Sequence, residues 1–127
     1  VDITKKKVVL YIPLNRQTRN HVKSMYIGTM TVGADLVTGL TAMLSIRRSK
    51  RKIILIFKDL NATFLKRAEG DTYFTCNIAE EIESAVHEVI RSKDRVNINV
   101  PVIATVPDKF GEESVAEFTI TLSMKEY

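Results

Sequence analysis

Cysteine is nearly absent: Cys76 is the one thiol in 127 residues. No internal disulfide can form, so nothing marks an oxidising compartment. Cys76 falls in a strand-like run, where a buried structural thiol is expected. Histidine is scarce as well. His21 and His87 stand far apart, neither with a second His or Cys at a ligand spacing, so no metal site is expected. There is no G-x-x-x-x-G-K-[ST] phosphate loop, no G-x-G-x-x-G fingerprint and no nucleophile-elbow serine. No histidine lies near Cys76 in sequence, which leaves a Cys–His nucleophile without support. No uninterrupted apolar run reaches the roughly 18 residues of a membrane span, and no signal peptide is visible. A cytoplasmic location with no membrane partner is the default expectation.

What is present is ordinary for a globular chain. The sequence is 45% hydrophobic and 27% charged, which argues against disorder. Its length suits a single domain over 1–127, able to bury roughly two-thirds of its unfolded surface. The net charge of +4 fits an anionic ligand but selects none.

Lys7 to Leu14 is β-branched and aromatic and predicts a strand; Asn15 to Lys23 is polar and basic and predicts a loop. Ile27 to Ile46 is the longest helical candidate, with Val32, Leu36, Leu40, Met43 and Leu44 at three- and four-residue steps. It is apolar almost all round, so burial on both sides is expected. Gly28, Gly33 and Gly39 lie within it, and each costs a helix about 1 kcal/mol relative to alanine. Close packing against a sheet is the simplest compensation. The cationic run Arg47 to Lys52 suits the negative end of the helix dipole, or a phosphate patch.

Ile53 to Leu65 predicts a long strand with a polar break, suited to a bulge, at Lys58-Asp59. Asp71 to Asn77 predicts another strand. Ala79 to Arg91 carries a one-sided helical stripe of Ile82, Ala85, Val86, Val89 and Ile90. Arg95 to Val106 alternates cleanly, with Pro101 marking a bulge or an unpaired N–H. Pro107 to Glu113 predicts a hairpin-like turn before a last alternating strand. Short turns between consecutive strands favour an antiparallel sheet, with the long helix on its concave face.

One acid stands out. Asp35 lies about two turns into the apolar helix. A carboxylate there costs several kcal/mol unless it is paired, solvated or protonated. It is either a satisfied structural acid, bonded to a group such as Asn20, or a catalytic carboxylate facing a pocket.

The segment Asn20 to Asp35, NHVKSMYIGTMTVGAD, resembles the signature of hotdog-fold thioesterases, N-x-x-G-T-x-H-G-G, six residues, then Asp or Glu. In a gapless overlay Asn20 falls on the Asn, Ser24 on the Thr, Gly28 on the second Gly and Asp35 on the acid. Lys23, Tyr26 and Ile27 depart from the pattern. The resemblance implies an α+β hotdog fold: a curved antiparallel sheet wrapped around one long central helix, here with a short extra helix. It implies hydrolysis of an acyl-CoA or acyl-carrier thioester, coenzyme A entering only as part of the substrate. The amides of Ile27 and Gly28 would hold the oxyanion, Asp35 would activate water or attack, and Asn20 would orient water or substrate. Ser24 and Tyr26 would line the pocket. Lys66, Arg67, Arg48 and Arg51, with Arg47, Lys50 and Lys52, would be the candidates as a group for coenzyme A phosphates. A homodimer or dimer of dimers is also implied.

Two other functions compete. The altered Tyr26 and Ile27 fit a non-catalytic acyl or acyl-CoA binding protein. The run Arg47 to Lys52 could hold nucleic acid, but no recognition helix or stacking motif accompanies it, so no nucleic-acid partner is expected.

Overall fold

The computed structural model describes residues 2–127. Its elements are β1 (Asp2–Ile3), β2 (Val8–Ile12), α1 (Ile27–Ser49), β3 (Ile53–Phe64), β4 (Thr72–Cys76), α2 (Ala79–Ser92), β5 (Val96–Thr105), α3 (Pro107–Phe110) and β6 (Ser114–Glu126). The six strands form one antiparallel sheet in the order β1-β2-β4-β5-β6-β3. The expected α+β architecture, an antiparallel sheet packed on a long central helix with a second helix beside it, is what the chain adopts.

Period-two patterning explains the sheet. Val100, Val102 and Ala104 of β5 and Ala116, Phe118, Ile120 and Leu122 of β6 are buried on the inner face. α1 crosses that face over β2, β4 and β5. Its length and composition would also pass for a membrane span, although charged groups interrupt the sequence run; in the structure it packs against the sheet as a core helix. Gly33 shows why glycine is tolerated: a Cβ there would come within 2.4 Å of the Phe74 ring. The backbone and an aromatic ring occupy what alanine would fill. α2 buries Ile82, Ala85, Val86 and Val89 and extends the core towards Ile46 and Met124.

Several expectations need correction. α1 is not buried on both sides. Val32, Leu36 and Met43 are about half exposed, so one flank of the helix is open. The Pro107–Glu113 turn contains a one-turn helix, α3, whose C-cap Gly111 has φ +62°. Of the two readings of Pro101, the position without a partner fits: it pairs in register with Thr119 where only β6 flanks β5, and the irregularity falls at Ala104/Thr105. β1, two residues long, has too little pattern to be foreseen. The bulge at Lys58 is present: pairing with β6 shifts between Phe57 and Asp59. Cys76 is fully buried, and burial pushes its thiol pKa up.

Candidate functional site at the entrance to the central helix

The loop between β2 and α1 is held by its own side chains. The Asn15 carboxamide oxygen accepts from the amides of Gln17 and Thr18, and the Thr18 hydroxyl donates to the Pro13 carbonyl at 2.8 Å. Asn20 repeats the device one turn later. Its side-chain oxygen accepts from the amides of Val22 at 3.0 Å and Ser24 at 3.1 Å. Lys23, between them, takes the left-handed conformation with φ +61°. The loop closes onto the fold through Met25, whose amide donates to the Ala68 carbonyl, and Tyr26, whose amide donates to the Thr18 carbonyl, both at 2.9 Å.

α1 begins without a side-chain cap. Tyr26 is the N-cap residue, its side chain makes no capping bond, and the first turn holds no acid. The amides of Ile27, Gly28 and Thr29 therefore lack an acceptor within the helix. Ile27 is 63% exposed, and no atom lies within 4 Å of where a Gly28 Cβ would stand. The helix start is an open, partly positive surface that can accept an anionic oxygen.

Asp35 lies seven residues beyond Gly28, which puts it on the same helix face about 10 Å further along the axis. It is half-buried and makes no hydrogen bond or ion pair among the described residues. No bond joins Asp35 to Asn20, one of the partners the sequence offered; the Asn20 side-chain oxygen accepts from the loop amides instead. Asp35 borders the uncovered flank of α1, and this open edge replaces the buried setting its apolar neighbours implied.

The candidate cations separate into two groups. The Arg67 guanidinium donates to the Ser24 hydroxyl at 3.2 Å and the Val22 carbonyl at 3.0 Å, so Ser24 and Arg67 hold each other at the helix entrance. Lys66 turns to Glu113 at 2.8 Å. Arg48 and Arg51 stand at the other end of α1, beside Glu83 and Glu126 respectively. Within one chain the length of the helix keeps them from Lys66 and Arg67. Sequence reasoning missed Thr18 and Val22, whose carbonyls serve the entrance. The Asn15–Thr18 spacing carried that signal, since an Asn–x–x–Thr segment favours a side-chain-closed turn.

The chain's best-formed grooves lie elsewhere. One of about 460 Å³ is lined by Val8, Thr41, Leu44, Arg48 and Glu83, in the half of α1 remote from Gly28. The helix entrance is open, with Tyr26 and Ile27 exposed.

Residues 1–124 match the model of a family described as a domain of unknown function, DUF4442, and the chain belongs to that family. No curated protein matches it. Solved structures share its hotdog fold at low identity. A protein of unknown function from Chlorobaculum tepidum TLS is 12% identical with a TM-score of 0.81, over 96% of this chain and 78% of that one. A Pseudomonas aeruginosa protein of unknown function, described as a "probable thioesterase", is 22% identical with a TM-score of 0.75, over 96% and 78%. A thioesterase from Haemophilus influenzae is 8% identical with a TM-score of 0.70, over 99% and 76%.

Proposed function

We propose that the chain hydrolyses an acyl thioester, carried by coenzyme A or a carrier protein, at a site shared by two copies. The observation that carries this reading is the uncapped, open start of α1 with an unpaired acid two turns along the same face. In the reaction, the Asp35 carboxylate takes a proton from water as the oxygen adds to the thioester carbon. The amides of Ile27 and Gly28 donate to the resulting oxyanion. Collapse breaks the C–S bond, and the thiolate leaves with the proton held by Asp35. The products are a carboxylic acid and a free thiol.

The geometry favours two copies. Oxyanion donors and a general base must each lie within about 3 Å of their targets on one substrate. A rise of about 10 Å between Gly28 and Asp35 strains that requirement within one helix. The uncovered flank of α1, with Val32, Leu36 and Met43, continues onto exposed Phe57 of β3. A Cβ added at Gly39 would stand 3.4 Å from the Phe57 ring, so helix and strand form one apolar surface. A second copy laid antiparallel against it would bring one Asp35 towards the other helix entrance. The free edge of β3 would join the two sheets.

The alternative is a binder without turnover, favoured by Tyr26 standing where the resembling signature has His. A thiol-release screen over short, long and aryl acyl-CoAs separates the two. Turnover that Asp35→Ala lowers by at least about 100-fold, within the usual general-base contribution, supports hydrolysis. Calorimetric binding of a thioester with no thiol released would favour the binder.

A further inference from the structure

We infer that Arg67 is a positioning residue: its guanidinium locks the Asn20–Met25 loop and so sets the aim of the first amides of α1. The inference rests on the thioesterase reading, but gives Arg67 a role distinct from binding coenzyme A phosphates. The linker between β3 and β4 grips the loop at three points. Arg67 Nε donates to Ser24 Oγ, Arg67 Nη2 donates to the Val22 carbonyl, and the Met25 amide donates to the Ala68 carbonyl. Two of these bonds come from one planar group, whose fork fixes direction as well as distance. Ser24 is 4% exposed and Met25 3%, so the end of the gripped segment that leads into α1 is seated in the fold, while Val22 is exposed. Two residues later the chain enters α1 with nothing of its own to cap it.

The grip has a backing. Arg67 Nη2 lies 3.8 Å from Glu69, and Glu69 accepts from Lys109 at 2.8 Å. Lys66 pairs with Glu113, and Lys66 and Lys109 both sit over the Phe110 ring, at 5.4 and 5.8 Å from its centroid. The linker is thus pinned between the helix entrance on one side and α3 with its following turn on the other. A loop held in a strained left-handed turn at Lys23 needs such external fixing, because that conformation costs a non-glycine residue of order 1–3 kcal/mol. The Arg67 fork lies across that turn, bonding the carbonyl before Lys23 and the hydroxyl after it.

The test compares Arg67→Ala, Arg67→Lys and Ser24→Ala, with Arg91→Ala as a remote control, by amide hydrogen exchange and thiol release. Positioning predicts faster exchange at Ser24 and Met25 in Arg67→Ala, partial protection in Arg67→Lys and no change in Arg91→Ala. It predicts a fall in kcat of about 10-fold or more, equal for an acyl-CoA and for the matching N-acetylcysteamine thioester, which carries no phosphate. The Arg67→Ala/Ser24→Ala double variant should lose little beyond Arg67→Ala, as expected of two groups in one interaction. A rise in KM confined to the acyl-CoA would assign Arg67 to phosphate binding and overturn the inference. Unchanged exchange in Arg67→Ala would overturn it as well. If the wild type releases no thiol from any substrate, the thioesterase reading fails. The exchange pattern still decides whether Arg67 holds the loop.

Discussion

Gly33 is the residue at which backbone and side-chain packing meet most tightly. A methyl group there must displace the Phe74 ring, which is itself fully buried. Overpacking of this kind costs roughly 1–3 kcal/mol, more than the helix propensity alanine would gain. Gly33→Ala should therefore lower the urea midpoint. An unchanged or raised midpoint would mean that the ring moves aside freely. Gly28 is the counter-case, because its Cβ position is empty. Sequence could mark both glycines as anomalies in a helix but could not tell them apart. What distinguishes them is the Phe74 ring, which only Gly33 meets and which lies dozens of residues away in sequence. Asn20 was legible in a different way. Its residue type and place in the signature drew notice, but the two loop amides its side-chain oxygen satisfies depend on the turn at Lys23.

At the scale of elements, period and punctuation carried most of the fold. β5 and β6 followed from strict alternation, α2 from its one-sided stripe, and the β3 bulge from the Lys58-Asp59 break. α1 misled in one respect. Its apolar circumference implied cover on all sides, whereas one flank is open. Hydrophobic periodicity reports which faces favour burial, not whether the same chain supplies the cover. The end of α1 is fastened instead by charge. Glu126, near the end of β6, accepts from Arg51 and from Lys93, at 2.5 and 2.9 Å. Arg51 first, then Lys93, holds the Glu126 carboxyl below its ordinary range. A carboxylate whose pKa is depressed by folding adds stability above its unfolded value, near 4.3, and loses it as pH falls through the lower folded value. Glu126→Gln should flatten the acid limb of a stability-against-pH curve and leave its slope above pH ~5 unchanged. An acid limb identical to wild type would show that solvent screens the pairs to nothing.

For the whole molecule, the half-exposed Leu36 and Phe57 are the test of assembly. Contiguous apolar surface of this kind marks an interaction face, and the free edge of β3 offers unpaired backbone groups beside it. On the proposed two-copy site, Leu36→Arg should shift the sedimentation profile from dimer to monomer and remove thiol release together. A variant that stays dimeric, or a monomer that turns over at the wild-type rate, would refute the shared site. The open start of α1 also has a consequence for how stability and turnover are balanced. An Asp at the N-cap typically adds about 1 kcal/mol over a residue that cannot cap. Tyr26→Asp should raise the melting temperature by supplying the missing acceptor, and in doing so occupy the amides that the substrate's oxygen would need. Melting and thiol release measured on the same preparation should then move in opposite directions: a hotter-melting protein that works less well. The native helix forgoes a stabilisation that one substitution could provide, which is the cost the proposed oxyanion site would carry.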